Sequence, residues 1–150
     1  MSNILDICRD LPEKRFEEGE CIIHEEVRDG RLYILKEGSV EVVKKDVRIN
    51  TVSSRGVVLG EVSFLLDRPH ITSVKALEPC VLYVCDDPLE FLTKHPEVNL
   101  YIAQMLARRL NAVTDYLVEL SDQVDANEDE RGVADVVLKS IMQHYSNKSL

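Results

Sequence analysis

The chain has 150 residues, 45% hydrophobic and 30% charged, a profile that suits one soluble domain and is too short for two of ordinary size. Eighteen basic against 27 acidic side chains leave a net charge of −9, with no long basic run. A nucleic-acid backbone or an anionic membrane rewards clustered Lys and Arg, so neither is expected as the main partner.

No apolar stretch approaches the roughly 18–20 residues that cross a bilayer, and the first residues lack a basic-then-apolar leader pattern. A cytoplasmic protein is expected. Cys8, Cys21, Cys80 and Cys85 show no CxxC spacing, which favours packed, reduced thiols.

In chain order, Ile4, Cys8 and Leu11 are spaced four and three apart and predict a short opening helix that Pro12 stops. Segments rich in Val, Ile and Leu then predict strands over 21–24, 32–36, 40–44, 48–52, 57–59 and 71–83. Between them stand Asp29-Gly30, Glu37-Gly38, Lys45-Asp46 and Arg55-Gly56, all turn-forming pairs. Strands this close leave no room for the crossovers of a parallel sheet, so an antiparallel roll is expected. Val40, Val42 and Lys44 alternate with Ser39, Glu41 and Val43, predicting one mainly apolar and one mainly polar face.

Near residue 86 the pattern turns helical. Asp87 suits an N-cap and Pro88 the first helical position, giving a helix over 89–94 that ends before Pro96. From 98 to about 124 the apolar positions are Ile102, Leu106, Leu110, Val113, Leu117, Leu120 and Val124, a heptad seam from Leu106 onward. Such a narrow stripe, flanked by Asp115, Glu119, Ser121 and Asp122, fits a parallel homodimer better than packing on the chain's own sheet. An acidic stretch, 126–131, precedes a final amphipathic helix to about Tyr145.

The fold class expected is therefore mainly β with flanking helices: an antiparallel β-roll, of the double-stranded β-helix or jelly-roll kind, followed by a long C-terminal dimerisation helix. Residues 1–97 would form the roll with its N-terminal and hinge helices, 98–126 the long helix, and 127–150 an acidic loop and short helix.

The stretch 59–76 carries the chemistry: Leu59-Gly60-Glu61-Val62-Ser63, a short apolar run, then Arg68-Pro69-His70-Ile71-Thr72-Ser73 opening a strand. Glycine between strands permits close backbone approach, first-turn N–H groups can hold an anion, and a carboxylate beside them can accept from a sugar hydroxyl. The candidate ligand-binding residues are Gly60, Glu61, Val62, Ser63, Arg68, His70, Ile71 and Thr72.

In this stretch the chain resembles the cyclic nucleotide-binding domains of protein kinase A regulatory subunits, cyclic-nucleotide-gated channels and bacterial catabolite activator proteins. Gly60, Glu61, Val62, Ser63, Leu65, Pro69, Thr72, Ser73, Val74 and Ala76 fall in register with that family's phosphate-binding cassette, and 32–42 resembles its central hairpin. The resemblance runs from about residue 16 through Phe91 and into the long helix. It implies that Glu61 meets a ribose 2′-hydroxyl and that the amides near Val62 and Ser63 hold a cyclic phosphate. Where the family places an arginine that neutralises the phosphate, this chain has His70.

Arginine is permanently charged and offers a planar fork, whereas histidine is mostly neutral at pH 7. Arg68, two residues earlier, could compensate, while Glu25-Glu26 would repel an anion if they faced the pocket. Three readings of the pocket stay open: cAMP or cGMP, another small anion or metabolite, or no ligand, the last leaving a dimeric interaction scaffold.

The expected protein is a standalone regulatory module, not an enzyme, acting through hinge residues Phe91 and Leu92 on an unknown downstream protein. No cofactor is expected. Only 26 residues follow Val124, too few for a helix-turn-helix unit, so direct DNA binding is not expected. His24, His70, His95 and His144 are scattered without an HxH pair, so no metal is expected.

Overall fold

Two antiparallel four-stranded sheets face one another across a shared core, in the order Glu13–Phe16, Cys80–Cys85, Leu32–Glu37, Val58–Leu59 and Cys21–Ile23, Ser73–Ala76, Val40–Lys44, Val47–Val52. A computed structural model describes residues 3–123 and Lys139. The strands are β1 (Glu13–Phe16), β2 (Cys21–Ile23), β3 (Leu32–Glu37), β4 (Val40–Lys44), β5 (Val47–Val52), β6 (Val58–Leu59), β7 (Ser73–Ala76) and β8 (Cys80–Cys85). The helices are α1 (Ile4–Ile7), continued by a 3₁₀ turn at Cys8–Asp10, then α2 (Glu61–Leu66), α3 (Pro88–Lys94) and α4 (Pro96–Gln123). The expected roll with flanking helices is what forms.

Hydrophobic residues from both sheets close the core: Phe16, Ile22, Ile23, Tyr33, Leu35, Val40, Leu59, Val74, Leu82 and Val84 are all buried. Strand β8 is central, paired with β1 on one side and β3 on the other, and all six of its residues are buried. That explains why it reads as a continuous apolar run instead of an alternating one. Cys80 lies in the core cluster, Cys85 is buried as well, and all four cysteines are free thiols. Burial pushes the Cys8 thiol up to about 12 and the Cys85 thiol up to about 11, so neither is a ready nucleophile.

Several boundaries differ from the sequence expectation, each for a physical reason. The single strand expected over 71–83 is two, β7 and β8, split at residues 77–79, where Pro79 has no N–H to continue a ladder. Strand β1 was not expected: only Phe16 of its four residues is buried. Alternation along β4 breaks where its register on β5 shifts between Val42 and Val43, so Val43 is buried and Val42 half-buried. The long helix begins at Pro96, two residues earlier than expected, because proline suits a first helical turn. Asp87 caps α3 as expected, its carboxylate accepting from the Glu90 N–H at 3.2 Å.

Two hairpin turns need left-handed backbone. Lys45 and Asp46, at φ 48° and 64°, form the two-residue turn between β4 and β5 with both centres left-handed, the geometry that matches strand twist. Gly38, at φ 94°, turns β3 into β4 against the start of β8: a Cβ there would lie 2.7 Å from the Pro79 carbonyl oxygen and 2.8 Å from Cys80 Sγ.

The chain divides into two units after Ile102, inside α4. Within residues 103–123, Met105 is buried and Leu106, Leu117 and Leu120 are half-buried, whereas Leu110 and Val113 are 45% and 54% exposed. α4 has 28 residues. Among the described residues no helix is long and apolar enough to cross a membrane. Val124, the acidic stretch and the final helix expected to about Tyr145 lie outside the described residues.

Gly38→Ala should lower unfolding free energy by about 2 kcal/mol or more, combining a strained φ with a backbone clash. Urea denaturation reads it directly; a change below about 0.5 kcal/mol would contradict the close packing of this turn against β8.

Candidate ligand-binding site

The site is built where β6 ends. Gly60, at φ 85°, turns the chain into α2, and a Cβ there would sit 2.9 Å from the Arg31 carbonyl oxygen and 3.3 Å from His70 Cε1. No larger residue fits between the strand and the histidine. On α2, Glu61 and Ser63 face inward at 4% and 5% exposure, while Leu65 and Leu66 face solvent. The helix closes through Asp67 in the left-handed region, with the Ser63 hydroxyl donating to the Arg68 carbonyl and the Arg68 N–H donating to the Ser63 carbonyl at 3.1 Å.

After α2 the chain is tied, contact by contact, to the loop that follows β2. Arg28 pairs with Asp67 at 3.2 Å. The Glu26 N–H donates to the His70 carbonyl at 2.8 Å, the His70 N–H to the Val27 carbonyl at 3.0 Å, and the Glu25 N–H to Ser73 Oγ at 3.0 Å. The imidazole continues the same seam: His70 Nε2 lies 2.8 Å from Asp29 Oδ1. Asp29 also accepts from the Arg31 N–H at 3.1 Å and, on its other oxygen, from the Tyr33 hydroxyl at 2.8 Å.

Burial alone would raise the Asp29 carboxyl, but the hydrogen bond with His70 and those from Arg31 and Tyr33 outweigh it, and the net shift is downward. Asp29 is therefore an ionised acceptor at neutral pH, and His70 Nε2 carries the proton it donates. The stability that Asp29 contributes is full above its unfolded value near 3.9 and is lost as pH falls through the lower folded value. Burial and then the Asp29 hydrogen bond push the Tyr33 phenol up to about 12, fixing it as a donor.

In front of this seam opens a cleft of about 330 Å³. Its walls are Glu25 and Glu26 from the β2–β3 loop, Lys44 and Lys45 from the β4–β5 turn, and Arg68, Pro69, His70 and Ile71. Glu25 is bound into the wall, its Oε1 accepting the Lys45 N–H at 3.0 Å. A second cleft, about 390 Å³, lies between the N-terminal turn, the end of β8 and α3. Asp10, Asp86, Asp87 and Glu90 make its rim acidic, so it is the poorer site for an anion despite its size.

The structure thus brings Arg68, His70 and Ile71 of the sequence-predicted set into one cleft, with Gly60 directly behind His70. Glu61 and Ser63 are buried, Val62 and Thr72 are half-buried, and none of the four lines the cleft. Sequence reasoning missed Asp29, Tyr33, Lys44 and Lys45. Asp29 and Lys45 sit in turn-forming dipeptides and read as punctuation; nothing local marks one as a half-buried acceptor and the other as a cleft wall.

Residues 13–88 match the cyclic nucleotide-binding domain family. A cAMP-dependent protein kinase regulatory subunit of Yarrowia lipolytica is 34% identical over 80 residues, 53% of this chain and 21% of that protein. The chain thus spans about a fifth of the length of that curated relative. The catabolite activator protein of Thermus thermophilus superposes with a TM-score of 0.67 at 23% identity, over 79% of this chain and 59% of that one, a likeness of fold. A PKAR CBD2 domain bound to Sp-2Cl-cAMPS superposes with a TM-score of 0.58 at 25% identity, over 79% of this chain and 87% of that one. With the family match extending over half of the chain and the cassette in place, this chain belongs to the cyclic nucleotide-binding domain family.

Proposed function

We propose that this chain is a regulatory module that captures cAMP or cGMP at the cassette and conveys occupancy to a partner protein. The observation that carries the reading is the cassette itself: a left-handed glycine packed on His70, a buried acid at the head of α2, and a cleft with cationic walls that His70 also lines. In that reading Glu61 accepts from the ribose 2′-hydroxyl and the first amides of α2 meet the cyclic phosphate. The curated relative is named for cAMP-dependent regulation, and a structural relative holds a cAMP analogue. Both support a purine cyclic nucleotide as ligand.

Transmission would run through α3. Phe91 and Leu92 are buried at 8% and 6% exposure, so a change in the cassette that reaches them must repack α3 and bias α4. The dimer seam belongs to the same proposal. Ile102 is only 4% exposed, so the face offered to a second copy begins at Leu106 and continues through Leu110, Val113, Leu117 and Leu120. Exposed leucine and valine at heptad spacing gain by association in a way that a solvated helix face does not. The partner acted upon is a protein; the module itself performs no chemistry in this reading, and its place is the cytoplasm.

Thermal or urea unfolding with cAMP and cGMP tests the ligand. A hundredfold excess over Kd should add about 2.7 kcal/mol, and Glu61→Gln should weaken binding about tenfold or more. No shift with either nucleotide at millimolar concentration would refute the reading and leave the scaffold as its successor. For the dimer, sedimentation of the double variant Leu110→Asp, Leu117→Asp should give half the mass of the unaltered protein; an unchanged mass would reject the seam.

A further inference from the structure

We propose that Lys44 and Lys45 of the β4–β5 turn, joined by Arg68, supply the positive charge for the ligand's phosphate, in place of a cassette arginine. The inference rests on the reading that the cleft takes a cyclic nucleotide. It begins with what His70 does. Its side chain is 4% exposed, its Nε2 is committed to Asp29 at 2.8 Å, and its backbone is bonded in both directions to the β2–β3 loop. Beside an ionised Asp29 even a protonated His70 forms a neutral pair, with no surplus charge for an anion. Reaching a phosphate would mean leaving a half-buried carboxylate short of a donor.

The cleft's own cations stand differently. Arg28, Arg31, Lys36, Arg48 and Lys94 each have a carboxylate partner, whereas Lys44, Lys45 and Arg68 appear in none of the described ion pairs. All three line the same cleft. The turn that carries the lysines is also fixed in place, by the Glu25 carboxylate on the Lys45 N–H at 3.0 Å and by left-handed backbone at Lys45 and Asp46. Glu25, which the sequence suggests would repel an anion, thus holds the lysines at the rim. Three cations against the two carboxylates of the cleft leave it net positive in a chain of net charge −9.

Lysine is a point charge on a flexible stem, so its hold on phosphate is screened by salt more readily than a bidentate arginine contact inside the pocket. The site would then bind its ligand with marked salt dependence. The test is calorimetric titration of the full chain with cAMP and cGMP at low and high salt, comparing the unaltered protein with Lys44→Gln, Lys45→Gln together. A control is Arg15→Gln, an exposed cation of β1 outside the cleft. The double variant should lose about ten- to a hundredfold in affinity at low salt and show a flatter salt dependence, while the control stays within about twofold. Unchanged affinity in the double variant, or an equal loss in the control, overturns the lysine assignment alone. If the unaltered protein binds neither nucleotide, the cyclic nucleotide reading falls and the assignment with it.

Discussion

The contact between His70 Nε2 and Asp29 Oδ1 joins two segments 41 residues apart, and the cassette depends on it. A half-buried carboxylate is costly unless its oxygens are filled, and Asp29 is filled from three directions: the imidazole, the Arg31 N–H and the Tyr33 hydroxyl. The histidine in turn forms the surface against which Gly60 packs. Removing Asp29 strands a buried imidazole, and removing His70 takes one of three donors from a half-buried carboxylate, so the pair helps hold the loop after β2 to the loop after α2. The backbone bonds of Glu26, Val27 and Ser73 and the Arg28–Asp67 pair reinforce the same seam.

This arrangement changes the meaning of a histidine at the arginine position. On sequence grounds it reads as a weakened phosphate ligand; in the fold its ring lies within hydrogen-bond distance of Asp29. In our proposal the charge required by an anion comes from elements that are distant in sequence, through the turn between β4 and β5, whose Lys44 and Lys45 line the same cleft as His70. Charge distribution agrees: residues 115–150 hold eight acidic and three basic side chains, so much of the net acidity belongs to a part of the sequence outside the cassette.

What was legible in the sequence follows from how local each cause is. Hairpins with Lys45-Asp46 or Glu37-Gly38 at their tips, the Asp87-Pro88 helix start and the heptad spacing of α4 are all set within a few residues, and they were readable. Strand β1 was not, because Glu13, Lys14 and Arg15 face solvent and only pairing with β8 makes them a strand. Nor was the bulge at Val42 and Val43, which arises in the pairing with β5. In the site, Gly60 and Glu61 were legible because the turn and the acid are adjacent. The Asp29–His70–Tyr33 cluster was invisible, since no periodicity or spacing marks a contact created by the closing of the roll.

A double-mutant cycle on Asp29 and His70, read by urea unfolding at neutral pH, tests the central claim most directly. With Asp29→Ala, His70→Ala and both together, the account predicts a coupling of about 1–3 kcal/mol, the second substitution costing little once the first is made. Additive effects within about 0.5 kcal/mol would mean that the two side chains act independently, and that His70 is as free to face a ligand as the sequence alone suggests.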